Sequence, residues 1–225
     1  MKSGKLIYIS IATIITVALL YFFDQVMQVN YLTKVSIKLF LFSLFPAIYI
    51  VKTGSNVIRD SLKNRNRKGR GLSILLGIAL FLIILLAYFI ARELMDIHVI
   101  LGEFEEKYKI DSRSILYYGL YITFINSLLE EFFFRGFIFL NIIKLGFRKT
   151  AYIISSLAFS VYHIANYKNW FSVELFLLAS LGLFIGGCIF NALDEKDHSF
   201  FNSWFVHICA DVAIVLIGLI IFDFF

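Results

Sequence analysis

The sequence predicts an all-α, polytopic transmembrane helix bundle of about seven spans with a cytoplasmic amino terminus. Three observations carry that expectation. Apolar residues make up 60% of the 225 and charged ones only 16%, against the roughly 25% charged of a soluble domain. Mean hydropathy is +0.84. Apolar runs long enough to cross a bilayer, roughly 17 to 25 residues, recur along the chain. With aromatics at 18% and only 13 glycines, the same numbers exclude a disordered chain, a collagen-like repeat and a nucleic-acid-binding domain.

The first span is expected near Leu6 to Phe23. Lys2 and Lys5 precede it as they would a signal peptide, but the apolar run is longer than a signal core and no A-x-A site follows. The second is expected at Lys34 to Val51. A basic loop comes next, with Lys52, Arg59, Lys63, Arg65, Arg67, Lys68 and Arg70 against Asp60 alone. Beside apolar spans such a cluster marks the cytoplasmic side and touches anionic lipid. The third span is Leu72 to Ala91. The segment Arg92 to Arg113, with six acids and four bases, is expected outside as a short surface helix.

The remaining spans are expected at Ser114 to Ile143, Ala151 to Asn166, Ser172 to Leu193 and Phe200 to Phe222. The fourth is too long for one straight crossing, so counts of six or eight stay compatible. Counting basic residues by side puts 13 inside and 7 outside, with Lys34 and Lys38 among the outer ones. That sets the orientation. Cys188 and Cys209 are isolated in apolar stretches and form no disulfide framework or CxxC motif. No internal repeat or linker divides the chain. It reads as one integral membrane domain, 1–225, with amino-terminal spans and basic loop over 1–112 and a helical core over 113–225.

Of the charged residues, only Glu130, Glu131, Arg135 and Asp211 fall well inside these apolar runs. An ionised group in hydrocarbon costs at least about 2.5 kcal/mol, so each needs a reason. Glu131 and Arg135 stand at i, i+4 on one helical face and can pair, either as a structural lock between helices or as part of a site. Glu130 points about 100° away and needs a partner from another span. His163 in the fifth span, and His207 with Asp211 one turn apart in the seventh, are the candidates. At about 1.5 Å rise per residue, all four reach mid-membrane or slightly to its cytoplasmic side. A carboxylate beside imidazoles in a water-poor interior is the make-up of a general base.

At these residues the chain resembles the CPBP family of intramembrane proteases, also called the CAAX protease, bacteriocin-processing or Abi family. The motif E-E-x-x-x-R is matched by Glu130, Glu131 and Arg135, F-x-x-x-H by Phe159 and His163, and H-x-x-x-N/D by His207 and Asp211. The likeness covers about Leu116 to Leu219. It implies peptide hydrolysis in the membrane by a glutamate-activated water, with no cofactor. On that likeness Glu130 is the general base, and His163 helps to hold and activate the water. His207 and Asp211 stabilise the oxyanion, Glu131 with Arg135 fixes the geometry of Glu130, and Phe159 supports. Asp211 departs from the Asn of some members, and an ionised carboxylate cannot donate to an oxyanion. It is either protonated or orients His207.

A zinc enzyme using Glu130, His163, His207 and Asp211 is the neighbouring alternative, although no H-E-x-x-H occurs. Two rivals come from other classes: a non-catalytic bacteriocin-immunity or regulatory membrane protein, and a proton-coupled transporter, for which no inverted repeat speaks. The expected partners are a peptide or small membrane-protein substrate and the lipid bilayer, with no nucleic acid. The expected place is the bacterial plasma membrane.

Overall fold

A computed structural model describes residues 2–63, 69–111, 113–168 and 170–222, and among these every regular element is helical. The helices are α1 (Lys2–Tyr21), α2 (Tyr31–Thr53), α3 (Val57–Lys63), α4 (Arg70–Ala91), α5 (Ile97–Gly102), α6 (Ile115–Leu120), α7 (Ser127–Glu131), α8 (Leu140–Leu145), α9 (Arg148–Tyr167), α10 (Val173–Asp197) and α11 (Phe201–Ile221). Three of the seven bases of the expected lipid-touching loop, Arg65, Arg67 and Lys68, lie outside the described residues.

Among the described residues five helical stretches are long and apolar enough to cross a bilayer: Lys2–Val26, Tyr31–Thr53, Arg70–Leu94, Val173–Asp197 and Phe201–Ile221. They match five of the seven expected spans. The other two, 115–145 and α9, fall short for a physical reason, because they form the polar interior. α9 buries Ser155, Ser156, Ser160 and Tyr162. The stretch 115–145 is not one straight helix: α6, α7 and α8 are joined by wide π-helical turns at Tyr121–Asn126 and Phe132–Phe139. Such turns re-aim side chains and concentrate at functional sites. Here they flank α7, which carries Glu130 and Glu131.

Local chemistry sets the helix ends. Asn30 caps α2 by accepting from the Thr33 amide (3.0 Å), and Ser172 caps α10. Gly54 (φ +62°) and Gly146 (φ +93°) end α2 and α8 in the left-handed region that glycine enters without a Cβ penalty. At Asp111 the carboxylate accepts from the Ser114 hydroxyl (2.7 Å) and amide (2.9 Å), which starts α6 and holds this exposed acid below its usual pKa.

The core is aromatic. Phe133 stacks on Phe42 of α2 (centroids 4.2 Å), and Phe134 meets Phe159 edge-on (5.4 Å). Phe133, Phe134 and Phe200 are fully buried and pack in this core. Trp204 donates to Ser127 Oγ (3.0 Å) and ties α11 to α7. Small residues bring helices close, as usual where lipid supplies no hydrophobic drive. A Cβ on Gly187 would stand 3.0 Å from the Ser156 backbone, and one on Gly77 would meet Cys209 Sγ at 2.8 Å. These contacts fix α10 against α9 and α4 against α11. The long apolar face of α4, including Leu75, Leu82 and Leu86, stays exposed where lipid would lie.

The segment after α4 folds into α5 and a π turn, Glu103–Lys107, as its expected short helix. It caps one end of the bundle. Lys107 reaches Asp24 (3.1 Å), and Glu103 accepts from Trp170 Nε1 (2.6 Å).

Candidate active site

Three helical elements place the acid–base groups. The i, i+1 pair Glu130 and Glu131 leaves α7 on two sides, so the carboxylates serve different neighbours. Both are buried, at 2% and 0% exposure. α9 brings His163 and α11 brings His207, and Asp211 lies one turn further along α11.

Glu130 has two unlike oxygens. Oε1 accepts from Asn126 Nδ2 (2.7 Å), Tyr162 Oη (2.9 Å) and Lys38 Nζ (3.4 Å). Oε2 faces the imidazoles, with His163 Nε2 at 3.4 Å and His207 Nε2 at 3.9 Å, and makes no direct hydrogen bond among the described residues. The orientation of His163 follows from its other nitrogen. Nδ1 donates to the Phe159 carbonyl (2.8 Å), so in neutral His163 the Nε2 atom facing Glu130 carries a lone pair. Two acceptors then face each other across 3.4 Å.

His207 Nδ1 donates to Glu131 Oε1 (2.9 Å), and the same oxygen takes Arg135 Nη1 (3.0 Å). The i, i+4 pair of the sequence is therefore made, and the Glu131 oxygen that Arg135 meets is the one that accepts from His207; among the described residues neither Glu131 nor Arg135 hydrogen-bonds to Glu130. Asp211 Oδ1 lies 3.7 Å from His207 Nε2, on the side of the ring away from Glu131, so of the two carboxylates it is Glu131 that hydrogen-bonds and orients this imidazole. Phe159 joins both halves: its ring lies 4.2 Å from the Arg135 guanidinium carbon and 4.5 Å from the His163 ring. Phe190 covers Arg135 at 4.9 Å. A guanidinium with one carboxylate and two aromatic faces is stabilised in a dry interior by cation–π attraction.

The charged set inside the apolar runs is larger than the sequence count of four. Lys38, counted on the outer flank, is 5% exposed and sits beside Glu130, hydrogen-bonded also to Asn126 Oδ1. Asp24 and Asp194 are buried as well. Counting charges by side treated Lys38 as a flank because it stands seven residues into its helix, about 10 Å from the end. Asn126 could have been found from its i−4 spacing to Glu130 and Tyr162 from its place beside His163; for Lys38 the only signal is a lone base between Ile37 and Leu39. Lys38 and His163 stand nearer the Asp24 end of their helices and His207 nearer the basic-loop end of α11, so the site lies between the two ends of the bundle.

Glu130, His163 and His207 each offer a ligand atom within 4.8 Å of the others, a spacing compatible with a metal ion. A cleft of about 550 Å³ opens at the Asp24 end between Tyr31, Tyr108, Tyr118 and Tyr121.

Fold and site together define a polytopic helical membrane protein whose interior gathers carboxylates and two imidazoles within a few ångströms of one another. Residues 112–213 match the model of a family described as type II CAAX prenyl endopeptidase Rce1-like. That segment, under half of the chain, holds every motif residue from Glu130 to Asp211 and is similar to the CAAX protease family, while the five long apolar helices are those of a multi-pass membrane protein. No curated protein and no solved structure matches the chain.

Proposed function

We propose that the chain cleaves a peptide bond by a water activated between Glu130 and His163, with no metal. The observation that carries this is the asymmetry of Glu130: three donors occupy Oε1, while Oε2 faces two imidazoles. A water between Glu130 Oε2 and His163 Nε2 can give a proton to each acceptor, which aims its lone pair outward. Glu130 takes one proton as the oxygen attacks the scissile carbonyl carbon. The carbonyl oxygen becomes an oxyanion, for which the imidazolium form of His207 presents Nε2–H while Nδ1–H stays on Glu131. Glu130 then passes its proton to the amide nitrogen, the C–N bond breaks, the remaining proton of the water goes to His163 Nε2, and a carboxylate and an amine leave. Asp211 acts beside His207 Nε2, and Arg135 and Phe159 hold the support.

A zinc reading has one observation in its favour, the three ligand atoms. Lys38 favours the metal-free reading, because its ammonium already stands at the carboxylate a divalent cation would need. Activity should therefore survive exhaustive chelation.

The substrate class we assign is a peptide or small membrane-associated protein, and the family description adds prenylated carboxyl-terminal boxes as one candidate. Peptide maturation, signalling and bacteriocin self-immunity are the roles that fit, in a bacterial plasma membrane with the basic loop on anionic lipid. Comparative peptidomics of cells carrying the wild type or Glu130→Gln tests this. A product confined to the wild type is expected; identical peptide sets would overturn it.

A further inference from the structure

We propose that Lys38 is a positioning residue of the active site, supplied by a helix outside the matched segment 112–213. The proposal rests on the hydrolytic role of Glu130. Lys38 leaves α2 deep in the bundle, and its ammonium meets Glu130 Oε1 at 3.4 Å, Asn126 Oδ1, and the Tyr162 ring at 5.2 Å to the centroid. Asn126 in turn donates to the same Glu130 oxygen. Lys38, Asn126 and Tyr162 thus form a clamp on one oxygen of one carboxylate. A carboxylate can rotate to present either oxygen, and saturating Oε1 leaves Oε2 as the one turned to His163 and His207.

Charge gives a second, independent reason. Glu130, Glu131, Asp194 and Asp211 place four carboxylates in one interior region, and among the described residues Arg135 forms an ion pair with Glu131 alone. Without Lys38, Glu130 has no permanent cation beside it, and an unbalanced carboxylate in the apolar interior is costly.

The test uses the purified full chain in proteoliposomes, with the peptide whose product separates wild-type from Glu130→Gln cells as probe. Lys38→Met keeps the length and apolar stem and removes the charge. We expect kcat to fall about 10²-fold, the cost of a misplaced reacting group, with KM changing less than about 3-fold. Lys38→Arg should restore part of kcat, which a space-filling role would not demand. If Lys38→Met does not fold, Asn126→Leu, which removes the neighbouring arm of the clamp, is measured in its place and should show the same kcat loss. Wild-type turnover by Lys38→Met, or by Asn126→Leu where that variant is used, beside an inactive Glu130→Gln overturns the role of Lys38 alone. Turnover by Glu130→Gln overturns the mechanism on which that role rests.

Discussion

Two buried carboxylates of this molecule each meet a lysine from α2, and they are built differently. Asp24, 1% exposed in the π turn Phe22–Val26 that follows α1, has both oxygens occupied: Oδ2 by Lys34 (2.8 Å), Oδ1 by Lys107 (3.1 Å) and Tyr108 Oη (3.1 Å). Lys34 also donates to Asn166 Oδ1 (3.1 Å), and Gln25 donates to the Ala165 carbonyl, so this cluster binds α1, α2, the segment after α5 and the end of α9 together. Glu130 has one oxygen filled and the other turned to two imidazoles. Saturation makes a fastener. Half-saturation leaves a lone pair for chemistry, held in place by the half that is filled.

The largest effects should separate the two carboxylates. Glu130→Gln keeps the shape but removes the base, so hydrolysis should fall by at least about 10²- to 10⁴-fold while the thermal midpoint in detergent stays near wild type. Asp24→Asn should do the opposite. It leaves Lys34 and Lys107 facing a neutral group and should cost about 3 kcal/mol of stability, read as a lower midpoint, with the catalytic step changed little in the folded fraction. Loss of chemistry in the Asp24 variant at full stability would erase the distinction.

Smaller effects sharpen it. His163→Ala removes the partner of the water and should lower kcat about 10²-fold or more. Glu131→Leu acts through His207, which loses the acceptor that fixes its ring, and about 10- to 10²-fold is expected, with KM nearly unchanged. Asp211→Asn should retain substantial activity, within about tenfold, because Asp211 is 3.7 Å from His207 Nε2 and the tight bond to that ring belongs to Glu131. A dead Asp211→Asn beside an active Glu131→Leu would reverse those roles. Phe159→Leu, which strips the ring from Arg135 and His163, should cost about 1 kcal/mol, seen as a modest drop in both midpoint and rate. Removal of divalent metal by exhaustive dialysis against chelator should leave the rate unchanged, and loss restored by zinc would move Glu130, His163 and His207 to a metal site.

Much of this was legible in the sequence because apolar length and rare intramembrane charge are local signals. Five of the seven expected spans follow from composition alone, and Glu131 with Arg135 follows from i, i+4 spacing. Residues acting across helices were harder to see. Lys38 looks like a flanking base by its position near the start of α2, and only the approach of α2 to α7 shows that it meets Glu130. The π turns around α7 also escape a 3.6-residue pattern, since they insert residues without changing composition. The link from Glu131 to His207 joins positions 76 residues apart, beyond any periodicity.

The most direct measurement of the central claim is product formation by purified wild type, Glu130→Gln and Asp24→Asn in the same proteoliposomes, each normalised to folded protein. Product from wild type and Asp24→Asn at similar rates, with none above background from Glu130→Gln, is the predicted result. Equal rates from Glu130→Gln and wild type would contradict a glutamate-activated water.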